Sequence, residues 1–265
     1  MQTVGIAIIA YKRFDCLDKC LNSLWSSLKE SSCVESIAVF DDGSPYELAS
    51  LKQKYSGLQV FQSDTNQGVV FNKNRALYYF AEIAPVDTII LLEDDVLLSG
   101  NWLNQWLKAV RLHRHMNYSP GYFRIPSYEK FWLKPNSAGT PEDPYVYKVV
   151  TGQCTALSTD LISSQVGYLN PAFKGYGCGH VEWACRFIQH GYGGYWTRGV
   201  ERGFFAIPSG VAIQKTISNK DQHQISRNKT VIDDLMKKSE LPFVGTPWAD
   251  DDEREIFLSV FKHSR

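Results

Sequence analysis

The chain has 265 residues, with 28 Lys and Arg against 28 Asp and Glu, so its formal net charge is zero. That balance excludes the basic surplus of a dedicated nucleic-acid binder. A hydrophobic content of 44%, with 13% aromatic residues, excludes a disordered charged tail and suffices for one large domain without a disulfide or metal staple.

The six cysteines, at 16, 20, 33, 154, 178 and 185, form no CxxC pair and lack zinc-finger spacing, so free thiols are expected. The first apolar run, Val4–Ala10, is too short for a signal peptide and has no basic leader before it. It reads as a strand buried on both faces. No window approaches the ~18 apolar residues of a membrane span, so a soluble, cytoplasmic protein is expected.

The first hundred residues alternate strand and helix. Leu17, Leu21, Leu24 and Leu28 form one apolar stripe, with Asp15 as the expected N-cap. Strands follow at 37–40, 58–62 and 88–92, with a helix expected over 47–55 and another from Gly68 to about Ala84. This alternation predicts a doubly wound α/β fold with a mainly parallel sheet, whose ligands bind outside the carboxyl ends of the strands. Beyond residue 100 a helix is expected at Trp102–His113, a loop at 126–144, a strand at 145–150 and a short helix at 158–166. A Gly- and aromatic-rich loop at 170–179 precedes a helix over 180–190, and residues 203–229 read as a polar, mixed segment. The last helix, Asp251–Lys262, has Ile256, Phe257, Val260 and Phe261 on one side, with Arg254, Lys262, His263 and Arg265 around it. Such a helix suits packing on the domain, another subunit, or peripheral contact with a membrane.

Three strand ends carry polar groups: Tyr11-Lys12-Arg13, Asp41-Asp42-Gly43-Ser44 and Glu93-Asp94-Asp95. Crowded carboxylates repel unless something positive neutralises them, and Mg²⁺ or Mn²⁺ with substrate phosphates does so well. A solvated acidic turn is the alternative. Asp41 and Asp42 can accept hydrogen bonds from a nucleobase or ribose, or build an Asx turn. Lys73 and Arg75 follow the Asn66-Gln67-Gly68 turn on one helix and suit a diphosphate, or form an ordinary basic face. No GxGxxG or P-loop signature is present.

Together these motifs resemble the family 2-like nucleotide-sugar glycosyltransferases of the GT-A fold. "IAIIAYKRFDCLDKCLNSL" is similar to their first strand and helix, "AVFDDGS" to their nucleoside-contacting turn, and "NQGVVFNKNRAL" to their Asn-x-Gly turn and basic helix. "IILLEDDV" stands where their DXD motif stands, and "GYGCGHVEWACRFIQHGY" resembles their Gly-rich loop and acidic helix start. The resemblance implies a single Rossmann-like GT-A domain, with residues 1–110 as the donor-binding half and 111–265 as the acceptor-binding and catalytic half. It places Tyr11, Arg13, Asp41 and Asp42 near the nucleoside, and Lys73 or Arg75 near the diphosphate. Glu93 and Asp94 would contact ribose, sugar or metal-bound water. Asp95 would hold Mn²⁺ or Mg²⁺, with His223 as a further ligand. Glu182 would be the base of an inverting transfer and His180 the second candidate, because Gly179 and His180 replace the family's usual Glu-Asp pair.

The implied substrates are a nucleotide-sugar donor, UDP-linked by expectation, and a glycan or glycolipid acceptor, as in polysaccharide synthesis. Two other readings remain open. A sugar nucleotidyltransferase calls for a Gly-rich Arg/Lys signature after the first strand, which residues 10–20 lack. A non-catalytic carbohydrate-binding protein on a degenerate transferase fold fits the change at residues 179 and 180, and the intact acidic triplet opposes it.

Overall fold

The computed structural model describes residues 2–28, 33–197, 201–216 and 221–262. Strand β1 (Val4–Ala10) is buried along its whole length. It lies between β2 (Val34–Asp41) and β4 (Thr88–Glu93), both parallel to it, and β3 (Gln59–Gln62) extends the parallel sheet beyond β2. Past β4 the sheet becomes mixed. Strand β8 (Cys154–Ser158) pairs antiparallel with β4 and with β6 (His115–Tyr118). Next to β6 runs β10 (Glu201–Ile207), parallel to it, with β7 (Tyr145–Tyr147) and β9 (Gly194–Thr197) antiparallel to β10. A separate ribbon pairs β5 (Val96–Leu98) with β11 (Val211–Ile213).

The strand order 3-2-1-4-8-6-10-7 has two consequences. It reverses between β1 and β4, which opens a crevice at their carboxyl ends. It also aligns the carboxyl ends of β1, β2, β4, β6 and β10 with the amino ends of β8 and β7 along one edge.

Both faces of the sheet are covered because β1 is apolar on both. Val4, Ile6 and Ile8 meet α1 (Phe14–Ser27), the short α2 (Ala49–Lys54) and α4 (Trp102–His113), through Leu17, Leu21, Leu51, Trp102 and Trp106. Ala7 and Ile9 join a second core with α3 (Val69–Tyr78), α5 (Asp160–Ser164) and α6 (Gly179–Gln189), filled by Leu77, Leu161, Trp183 and Phe187. Helix α7 (Gln222–Met236) lies against α6. Helix α8 (Asp251–Lys262) packs on α3, with the Phe257 ring 5.3 Å from Phe71 and 5.5 Å from Tyr78. Phe257, Val260 and Phe261 therefore pack on the domain, while Ile256 stays exposed; His263 and Arg265 lie outside the described residues. Among the described residues no helix is long and apolar enough to cross a membrane.

Several local expectations change. Helix α1 starts at Phe14, with Arg13 at its cap position, so Asp15 sits in the first turn instead of capping. The helix after Gly68 ends at Tyr78 and passes into a π-helical turn, Tyr79–Ile83. The loop expected at 126–144 contains a 3-10 helix, Pro126–Phe131. The polar segment 203–229 contributes β10, β11 and the start of α7. All six cysteines are free thiols.

Phe257 is fully buried among four aromatic rings, those of Phe71, Tyr78, Trp248 and Phe261. Phe257→Ala is expected to cost roughly 3–5 kcal/mol in denaturant unfolding. A cost under about 1 kcal/mol would show that α8 is not part of the folded core.

Candidate active site

The crevice between β1 and β4 gathers the acidic triplet and the first basic loop. Asp94, fully buried, receives Arg13 Nη2 on one oxygen and the Tyr11 backbone N–H, at 3.3 Å, on the other. Arg13 Nη1 donates to Asp95 Oδ2 at 3.0 Å and to Thr216 Oγ1 at 3.1 Å. One guanidinium thus spans both carboxylates. Burial opposes the Arg13 charge, yet Asp94 and Asp95 outweigh it and raise its pKa. Burial pushes the Asp94 carboxyl up to about 7, against the pull of Arg13. Burial and the nearby Glu93 also raise Asp95.

The second oxygen of Asp95, Oδ1, is buried and has no hydrogen-bond partner among the described residues. Such an orphan acceptor is costly unless a cation or water completes it. A hard carboxylate oxygen fits Mg²⁺ or Mn²⁺. Among the described residues no three His, Cys, Asp or Glu side chains gather into a metal cage, so a cation here would draw its other ligands from phosphate and water. His223 is exposed in the first turn of α7, its backbone N–H held by Asp221 at 2.9 Å.

Glu93 takes a different partner. Lys73 reaches from α3 to Glu93 Oε1 at 3.0 Å and to the Gly152 carbonyl at 2.8 Å. Arg75, two residues on, points elsewhere: it contacts Ser63 Oγ, the Ile256 carbonyl at 3.1 Å and the Phe71 ring. Burial lowers its pKa to about 10. The structure therefore brings Lys73 to the strand ends and uses Arg75 to hold α3 against α8.

Asp41 and Asp42 end β2 with their carboxylates turned into the loops. Asp41 accepts from Ser44 N at 2.8 Å and Oγ at 2.6 Å, while Ser44 Oγ accepts from Lys12 N at 2.7 Å. Asp42 accepts from the Gln67 and Gly68 N–H groups at 2.9 and 2.8 Å and so fixes the turn into α3. Gly68, at φ +98°, faces Gly175; a Cβ here would lie 2.7 Å from Gly175 N, so the turn needs glycine. This contact seats the Gly-rich loop beside the crevice.

That loop leads into α6, where the two candidate bases part. Glu182 is fully buried and lies against Arg186, Nε at 2.9 Å from Oε1 and Nη2 at 3.1 Å from Oε2. Arg186 also donates to the carbonyls of Val166 and Tyr168. The pair braces the chain behind the loop. His180 instead sits beside Gly152 and Lys73, with Nε2 at 3.2 Å from Asn117 Oδ1. Asn117 Oδ1 also accepts from Thr155 Oγ1 at 3.1 Å, and its Nδ2 donates to the Phe205 carbonyl, so Asn117 presents its oxygen to His180 Nε2. Burial, then the Lys73 charge, hold the imidazole well below its usual pKa, against a backbone hydrogen bond at Thr151 that raises it, so it is neutral at physiological pH. Asn117 and Thr216 carry no motif signal; only the fold brings them here.

A cavity of about 600 Å³ lies at the opposite edge, near Asp87, Arg114 and Asp160. It is remote from the acidic strand ends, and the site is assigned on side-chain chemistry rather than concavity.

The fold is that of GT-A glycosyltransferases. The sequence profile of glycosyl transferase family 2 matches residues 5–167, more than half of the chain, and the chain belongs to that family. No curated protein sequence gives a significant match. Among solved structures, GalNAc-T7 with UDP, GalNAc and Mn²⁺ superposes with a TM-score of 0.65 at 13% identity, over 98% of this chain and 54% of that one. The mannosyltransferase PcManGT from Pyrobaculum calidifontis, in complex with GDP-Man and Mn²⁺, gives 0.60 at 12% identity, over 98% and 69%. S. aureus TarS 1-349 gives 0.52 at 16% identity, over 70% and 55%. This chain thus spans about half the length of the GalNAc-T7 chain.

Asp42 supplies a pH test. Burial raises its carboxyl to about 6 against the two backbone N–H bonds that lower it. The folded protein then keeps a proton that the unfolded chain releases near pH 4, so this group's contribution to stability falls as pH rises between those values. Measured by urea unfolding, the stability difference between wild type and Asp42→Asn should shift toward the variant from about pH 4 to pH 6. A difference independent of pH across that window would contradict the raised pKa.

Proposed function

We propose that the chain transfers a sugar from a nucleoside-diphosphate sugar, most simply a UDP-sugar, to a hydroxyl of a glycan or glycolipid, by direct displacement with inversion. The observation that carries this reading is the unpartnered, buried Asp95 Oδ1 at the strand-order reversal, beside a guanidinium that already compensates the acidic pair. The Mn²⁺ and nucleotide ligands named for GalNAc-T7 and PcManGT support it. A divalent cation at Asp95, Mn²⁺ or Mg²⁺, would neutralise the diphosphate as it departs. His223, on α7, is the candidate for a further ligand, and imidazole favours Mn²⁺.

The chain's own groups divide the remaining work. Tyr11 and the turn built by Asp41 and Asp42 would flank the nucleoside, with Arg13 turning from the carboxylates toward phosphate. Lys73 would exchange Glu93 for a phosphate oxygen, freeing Glu93 for a sugar or ribose hydroxyl, while Asp94 holds the first loop through Tyr11. Arg75 supports α3 from within. His180 is the better base: Glu182 is already spent on Arg186, whereas His180 offers a neutral imidazole oriented by Asn117.

UDP with Mn²⁺ is expected to raise the melting temperature, and Asp95→Ala to remove that shift. No shift with any nucleoside diphosphate, with or without metal, would sink the donor-site assignment. His180→Ala should lower transfer about 100-fold or more while the UDP shift persists. The wild-type rate should show no acid limb near pH 6.5, the unperturbed histidine value. Unchanged turnover in His180→Ala would remove it from the role.

A further inference from the structure

We propose that Arg13 is the resident counter-cation of the acidic edge, latched there by Thr216, and that a nucleoside diphosphate releases it, so that donor and divalent ion bind cooperatively. The proposal rests on the transferase reading and deepens it by naming the element that regulates access to Asp95.

The guanidinium occupies what a divalent ion needs. Nη2 lies on Asp94 Oδ1 and Nη1 on Asp95 Oδ2 at 3.0 Å, while Asp95 Oδ1, on the same carboxylate, has no hydrogen-bond partner among the described residues. A cation drawn to Oδ1 meets a positive charge already seated on the neighbouring oxygen, and the two repel. Formal charge agrees. With Lys73 on Glu93, three carboxylates and two bases leave one negative charge at the edge. Withdrawing Arg13 leaves two, the charge that one divalent ion offsets. A diphosphate offers the released guanidinium an anion that suits its fork as well as a carboxylate does.

Three features separate Arg13 from a fixed ion pair. Its side chain is 30% exposed, whereas Asp94 and Asp95 are buried, so the base and not the acids has solvent to move into. Arg186 on Glu182, by contrast, is 1% exposed. The backbone that carries Arg13 is anchored one residue earlier. Lys12 takes φ +57°, in the left-handed region, and its N–H donates to Ser44 Oγ at 2.7 Å, which Asp41 holds in turn. The third feature is the latch. Nη1 donates to Thr216 Oγ1 at 3.1 Å, and the segment after β11 that bears Thr216 is tied down through Gln214. The Gln214 N–H donates to the Asp95 carbonyl at 2.8 Å, and its Nε2 to the Cys16 carbonyl at 3.0 Å. A threonine hydroxyl compensates no charge; it sets where the guanidinium rests.

The test is calorimetric and needs no turnover. Mn²⁺ and UDP are each titrated into the full chain, alone and with the other saturating, in wild type, Thr216→Val and Arg13→Gln. In wild type each ligand should tighten the other by the same factor, about tenfold or more. Phosphate bound to metal gives some coupling in any such site, so the variants decide. Mn²⁺ alone should bind Thr216→Val roughly two- to fivefold more tightly than wild type, and Arg13→Gln roughly tenfold more tightly, with the coupling factor reduced in both. A purely structural Arg13 predicts the opposite sign, weaker metal binding as the edge loses its shape. Thr216→Val keeps every charge and decides alone if Arg13→Gln fails to fold. Mn²⁺ binding no tighter than wild type in folded Thr216→Val overturns the latch, even where UDP still tightens Mn²⁺ and the donor site stands. A wild type whose Mn²⁺ affinity is the same with and without UDP overturns the release. Tighter Mn²⁺ binding in both variants, with no UDP binding by any of the three proteins, would support the resident cation and reject the donor site.

Discussion

Charge compensation at the β1–β4 crevice is the constraint around which the site is arranged. Parallel strands bring Glu93, Asp94 and Asp95 to one edge, where burial favours protonation of the two aspartates. Arg13 comes from the loop after β1 and answers two of them, and Lys73 comes from α3 and answers the third. These partners are available only because the strand order reverses there, which places the first loop directly against the last strand of the parallel run. The neutral total charge of the chain conceals this local pairing of acids and bases.

The second half of the chain holds that crevice in shape. The buried Glu182 and Arg186 pair ties α6 to the carbonyls of Val166 and Tyr168, and removing either partner would strand a charge in the core. Gly68 and Gly175 let two backbones touch, so the Gly-rich loop is bridged directly to the turn into α3. Helix α7 fixes the same loop through Gln224 and Asn228, and α8 backs α3 through Phe257. Parts remote from the reacting groups therefore set where His180 stands.

Much of the first half was legible in the sequence. β1, β2 and β4 announce themselves as apolar runs, the last two ending in acids, and α1 and α4 as apolar stripes, because burial alone dictates those patterns. The second half was less legible for physical reasons. Strand β6 is only four residues, His-Met-Asn-Tyr, and its polar His115 and Asn117 are buried for stacking and polar contacts, so it lacks the apolar run of a buried strand. Helix α7 is polar nearly throughout, with only Asn228 and Leu235 buried. At the site, the acidic triplet and Lys73 could be read from motif position. Glu182 could not be separated from a base by sequence, because an i,i+4 partner such as Arg186 reveals its role only when both are seen to be buried. Arg75 misled for a similar reason: its direction on α3 depends on Ser63 and Ile256, neither of which is near in sequence.

The central claim is that this edge binds and cleaves a nucleotide sugar. Incubating the protein with a panel of UDP-, GDP- and dTDP-sugars, with Mn²⁺ or Mg²⁺ and mixed saccharide acceptors, and quantifying released nucleoside diphosphate tests it most directly. The account predicts release from at least one donor, UDP-linked first, dependent on the divalent ion and absent in Asp95→Ala. Release from none of the donors under any metal and acceptor combination, by a protein whose fold is intact, would contradict it.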